Sequence, residues 1–116
     1  MRLQTMKWAI KILFSIFFAS AIGVHVFAIF QKDTQPFWWH FIYFVTYGSC
    51  WAMFFLKHKN RLFMYSIMGV FPFITHLYYG YQHIATLDSL FWVCVLTCTL
   101  LFAGIFGIKY TNENLF

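Results

Sequence analysis

The chain has 116 residues, of which 62% are hydrophobic and 25% aromatic; 9% are charged, and the net charge is +5. A soluble domain of this length keeps too large a share of its surface in water to hide so much apolar area, so composition excludes an ordinary water-soluble globule. The positive charge does not point to nucleic acid, because it gathers at the ends of the long apolar runs and in the short segments that join them.

The first element opens behind a basic segment with Arg2, Lys7 and Lys11, and its apolar run extends from Trp8 to Phe30. About 20 residues suffice for a helix to cross the hydrocarbon core, and this run meets that length. Lys11 lies near the start of the run, where its ammonium can snorkel to the interface. Ala19-Ser20-Ala21 resembles a signal-peptide cleavage site, but apolarity continues through Val24, Val26, Phe27 and Phe30. The segment is therefore expected to stay as a signal anchor. Ser15, Ala19 and Gly23 recur every four residues, a stripe of small side chains that lets a neighbouring helix approach. Lys32 and Asp33 follow in the first loop, and Pro36 suits the first turn of the next helix.

The second apolar run covers Phe37–Leu56 and contains His40, Tyr43, Tyr47 and Cys50. Lys57-His58-Lys59-Asn60-Arg61 then reads as a tight, solvated basic turn. The third run covers Leu62–Tyr81, with Pro72 inside it; proline removes one intrahelical bond, so a bend is expected there. Asp88 is placed to cap the fourth run, Ser89–Ile108, which carries Cys94 and Cys98 and is followed by Lys109. None of the four runs contains Asp, Glu or Arg.

These elements predict an all-α polytopic membrane protein, one domain over residues 1–116, with spans at about 8–30, 37–56, 62–81 and 89–108. Lys and Arg concentrate at the N-terminus, the second loop and Lys109, which predicts both termini and loop 57–61 on the cytoplasmic side of a bacterial-type membrane. Tryptophans and tyrosines near the span ends fit interfacial belts.

Two segments repeat each other. His25 to Gln31 and His76 to Gln82 share a His and a Gln six places apart with aromatics between them. Chance places His six residues before Gln roughly 0.2 times in a chain of this content, so two cases with similar flanks argue for duplication. Ser15 with Ser66 and Ile16 with Ile67 match at the same offset, and a shorter alignment sets His40 against Cys94. The expected architecture is two tandem helical hairpins, a parallel repeat about an axis along the membrane normal, in an up-down bundle.

That topology gathers the polar side chains of the spans toward one end. His25 and His76 are a candidate cofactor pair, positioned to ligate one haem iron. His25, His40, His76 and Cys94 are a candidate transition-metal set, since imidazole and thiolate are the ligands zinc and copper prefer. Tyr43, Tyr47 and Tyr79 are candidate walls of a ligand cavity between the hairpins, while Gln31, Gln82 and Pro72 are repeat and structural positions. No Cys-x-x-Cys, His-Glu-x-x-His or nucleophile-elbow motif is present, so no catalytic residue is assigned. Intramembrane histidines also glue helices through hydrogen bonds, and the bare sequence favours that use over a cofactor. The resulting expectation is a non-enzymatic accessory or interaction subunit. Its partners would be the bilayer and other membrane proteins, or itself, through Ser15/Ala19/Gly23. A haem- or metal-binding protein is the first alternative, and a small-molecule binder or transporter the second.

Overall fold

A computed structural model describes residues 2–31 and 37–112, with the side chain of Asn112 left out. The described chain is helical, in the order α1 (Arg2–Phe30), α2 (Phe37–Ala52), α3 (Arg61–Gln82) and α4 (Ser89–Asn112). Each helix packs on its neighbours in sequence and α4 closes on α1, so the four form a ring of antiparallel contacts. Lys32, Asp33 and Pro36 lie outside the described residues.

Three of the helices, α1, α3 and α4, are long and apolar enough to cross a membrane. Their exposed side chains are mostly large and apolar, such as Leu13, Ile16, Phe27, Phe63, Val93 and Phe106, the reverse of a water-facing surface. The second helix departs from its predicted bounds. It ends at Ala52 rather than Leu56, and residues 53–55 form turns. Just past the helix end, Phe54 is fully buried and stacks on Phe14 with ring centroids 4.8 Å apart. At the other extreme, α1 extends back to Arg2, well before Trp8.

One end of the bundle, the basic end, holds residues 53–60, the start of α1 and the end of α4. Its core is aromatic. Phe14, Phe18, Tyr47, Phe54 and Tyr65 bury their rings against one another, with Phe18–Tyr65 and Phe54–Tyr65 meeting edge to face. The Tyr65 hydroxyl donates to the Leu101 carbonyl at 2.7 Å. Gly104 makes room for it, since a Cβ there would overlap that hydroxyl. A Cβ at Gly107 would press on Phe14 at 3.0 Å and Phe54 at 3.2 Å. The two glycines thus let α4 approach the aromatic cluster.

The basic turn is solvated only in part. Residues 57–60 are exposed, but Arg61 is 4% exposed. Its guanidinium donates to the Leu56 carbonyl (2.9 Å) and to the Thr111 hydroxyl on α4 (3.4 Å). Arg61 therefore ties the turn to the end of α4, where a cation also meets the negative pole of the helix.

Candidate functional site: a histidine-walled cavity

The opposite end, where α1 and α3 finish and α2 and α4 start, is built differently. Each helix sends polar side chains toward the bundle axis, and they line a cavity of about 430 Å³. Helix α1 contributes His25 with Val24 and Ala28, and α2 contributes His40 and Tyr43. Helix α3 adds His76, Tyr79 and Gln82, with His83 just past its end, and α4 adds Cys94 and Leu90. Both pairs suggested by the repeat, His25 with His76 and His40 with Cys94, thus reach one space from diagonal helices.

The contacts within this set are close. The Nδ1 atoms of His25 and His40 are 3.2 Å apart, so one ring donates to the other. His25 stacks on Tyr43 (centroids 4.1 Å, planes 17° apart) and meets His76 edge-on at 6.3 Å. His76 Nδ1 is 2.7 Å from the Pro72 carbonyl. A carbonyl only accepts, so Nδ1 carries the proton and Nε2 is left as the acceptor of the neutral ring.

Pro72 organises the α3 wall. The helix continues through it, and Pro72 itself is buried. The Thr75 hydroxyl lies within hydrogen-bond reach of the Phe71 and Pro72 carbonyls, and the Tyr43 hydroxyl donates to Thr75. One turn of α3 therefore fixes both His76 and Tyr43. Thr75 was not singled out in the sequence, although Thr three residues after a helical Pro is a readable signal for a hydroxyl returning to the backbone.

The predicted site residues fall into distinct places. Tyr43 and Tyr79 line the cavity, but Tyr47 does not: it is buried beneath it, between Tyr43 and the rings of Phe17 and Phe18. Gln82 is on the wall and donates to the Tyr78 hydroxyl at 3.0 Å, whereas Gln31 is exposed just beyond α1. The two glutamines of the repeat thus have different surroundings. Cys50 and Cys98 point their thiols at the Tyr65 and Phe73 carbonyls, as packing residues do. Cys94 is buried against Gly80, where an added Cβ would stand 3.1 Å from the Cys94 Cβ. Among the described residues, no three His, Cys, Asp or Glu side chains stand together as a metal-binding group. The candidate set instead walls a cavity.

At the rim, Asp88 caps α4 as predicted. Its Oδ1 accepts from the Phe91 backbone N–H at 3.0 Å, and its Oδ2 lies 2.8 Å from His83 Nδ1. The backbone hydrogen bond from Phe91, and then the contact with His83, hold the Asp88 carboxyl below the usual carboxylate range.

No protein-family model, curated protein or solved structure matches the chain. Its function is therefore read from the cavity.

Proposed function

We propose that this chain is a small integral membrane protein that binds a ligand in the histidine-walled cavity. One observation carries the reading: His25, His40, His76 and Cys94, drawn from four different helices, face one space of about 430 Å³. That volume lies in the range of ligand pockets, about 300–1,000 Å³. The arrangement of Lys and Arg supports a topology with both termini and loop 57–61 on the cytoplasmic side of a bacterial-type cytoplasmic membrane, so the cavity would belong to the outer leaflet.

The donors suit haem iron between His25 and His76 or an organic molecule held by hydrogen bonds; a transition-metal ion on the histidines and Cys94 would need them drawn closer together than they stand. The test is thermal unfolding of the purified protein with haemin, Zn(II), Cu(I) or neutral organic ligands. The reading expects at least one to raise the unfolding temperature of the wild type and not of a His25→Ala, His76→Ala double variant. Equal responses from both proteins to every ligand would remove it.

A second reading is an accessory subunit docking through α1. Ala19 and Gly23 are exposed, and a Cβ at Gly23 would meet nothing within 4 Å. Ser15 does not belong to that open face, because its hydroxyl accepts from Trp51 Nε1 at 2.8 Å. This reading expects Gly23→Leu to abolish co-purification of a membrane partner while leaving the fold intact; retained co-purification would count against it.

A further inference from the structure

We propose that the basic end carries a binding site for an anionic phospholipid, formed where the start of α1 meets the turn after α2 and the start of α3. The site lies at the opposite end from the histidine cavity, so the two readings stand or fall separately.

Four cations from three segments converge there. Lys7 and Lys11 are one turn apart on α1 and share a face. The Lys11 ammonium lies 4.9 Å from the Trp8 ring centroid and 5.5 Å from that of Phe55. These contacts hold it beside the turn, where Lys57 is exposed. Arg61 closes the corner by donating to the carbonyl of Leu56, the residue between Phe55 and Lys57. Lys7, Lys57 and Arg61 all lie within electrostatic reach of the Lys11 ammonium.

Lys7 and Arg61 are buried, at 8% and 4% exposure, and like charges repel more strongly as the surroundings lose polarity. The guanidinium of Arg61 bonds to neutral oxygens, the Leu56 carbonyl and the Thr111 hydroxyl, which satisfy its N–H groups without cancelling its charge. The chain's own carboxylates do not balance the corner. Of its three, Asp88 caps α4 at the histidine end, and Asp33 falls between α1 and α2, whose adjoining ends are also there. Glu113, next after α4 in sequence, could neutralise one cation of the four. Of the eight Lys and Arg, all but Lys32 belong to the basic end. A positive surplus therefore remains even with Glu113 paired, and an anion from outside the chain offsets it.

The surroundings select a lipid over a soluble acidic partner. The corner is rimmed by exposed apolar side chains, Trp8, Ile12, Phe55 and Leu56. A phospholipid lays its acyl chains on that rim and its phosphate against the ammonium groups of Lys11 and Lys57. Being buried, Lys7 and Arg61 add field rather than contact. Trp8 is the kind of side chain that settles at the headgroup level. A headgroup of net negative charge is required, because the choline of phosphatidylcholine cancels its phosphate.

The full chain, purified in a neutral detergent, would be titrated with dioleoylphosphatidylglycerol, dioleoylphosphatidylcholine, inorganic phosphate and a glutamate-rich peptide. Native mass spectrometry counts the bound lipid, and the rise in unfolding temperature gives the affinity. One phosphatidylglycerol should be retained per chain and should stabilise it, and phosphatidylcholine should do neither. Lys11→Gln and Lys57→Gln should each weaken phosphatidylglycerol by about fivefold, the worth of one cation near an anionic headgroup. Lys11→Arg keeps the charge and should bind as the wild type does. Lys109→Gln removes the same charge from the exposed end of α4 and should change the affinity by less than about twofold.

Equal losses in all three Gln variants would reduce the effect to diffuse attraction and overturn the site. Lys11-dependent binding of inorganic phosphate or of the peptide, without preference for phosphatidylglycerol over phosphatidylcholine, would overturn the lipid assignment. Absence of any retained phosphatidylglycerol would do the same.

Discussion

The two ends of this bundle use the same four helices and the same aromatic-rich alphabet to opposite effect. At the basic end, Phe14, Phe18, Phe54 and Tyr65 fill the space between the helices, and Gly104 and Gly107 let α4 close on them. At the histidine end, Tyr43, Tyr79 and four histidines surround a space rather than fill it. In lipid there is little hydrophobic drive to bring helices together, so dense packing and internal hydrogen bonds must hold the bundle. One end supplies that packing, and the other leaves a cavity among its polar side chains. The difference lies in residue shape and donor type, not in hydropathy.

The comparison breaks most readily at Gly104. A Gly104→Leu change drives a side chain into the Tyr65 ring, and overpacking at a site with no slack should cost about 3 kcal/mol or more. Denaturant titration in mixed micelles would show it; an unchanged midpoint would mean that the basic end is not the rigid one. Removing only the Tyr65 hydroxyl, as Tyr65→Phe, should cost about 1 kcal/mol in the same assay, because the Leu101 carbonyl loses its side-chain donor.

At the histidine end the expected pattern inverts. His76→Ala should cost under about 1 kcal/mol of stability, since intramembrane hydrogen bonds are individually weak, yet it should remove ligand-induced stabilisation. A large loss of stability without ligand would recast His76 as a packing residue. The smallest effect belongs to the rim. The folded-state pKa of Asp88 is depressed, so its contribution is complete above the ordinary carboxylate value and is lost as pH falls through the folded value. Unfolding temperature should therefore decline slightly in acid, from about pH 4 downward, and Asp88→Asn should flatten that decline. Wild-type and variant curves that stay parallel would separate the cap from stability.

Much of this organisation can be read from residue order. Four apolar runs, Asp88 before the last of them, and the repeated His/Gln spacing lead to a helical bundle and to His25 and His76 at one depth. What could not be read depends on rotation and on chain reversal. Nothing local says that α2 ends at Ala52 with Phe54 buried in the turn that follows, because an apolar residue after an apolar helix looks like more helix. Arg61 looks like part of a solvated basic turn until Thr111, far along the chain, is brought beside it. Tyr43 and Tyr47 are one turn apart, and only the arrangement of helices assigns the first to the cavity wall and the second to the core beneath. Gly104 and Gly107 were legible in principle: small residues among bulky ones in a span mark close approach.

The most direct test of the account is what the protein carries when it is purified from membranes. Wild type and His76→Ala would be isolated in parallel. Each would be analysed by absorption spectrum, elemental analysis and mass spectrometry of a solvent extract. The account predicts a near-stoichiometric molecule with the wild type that is depleted in the variant. The same contents in both proteins, with both well folded, would contradict the claim that the histidine end is a binding site.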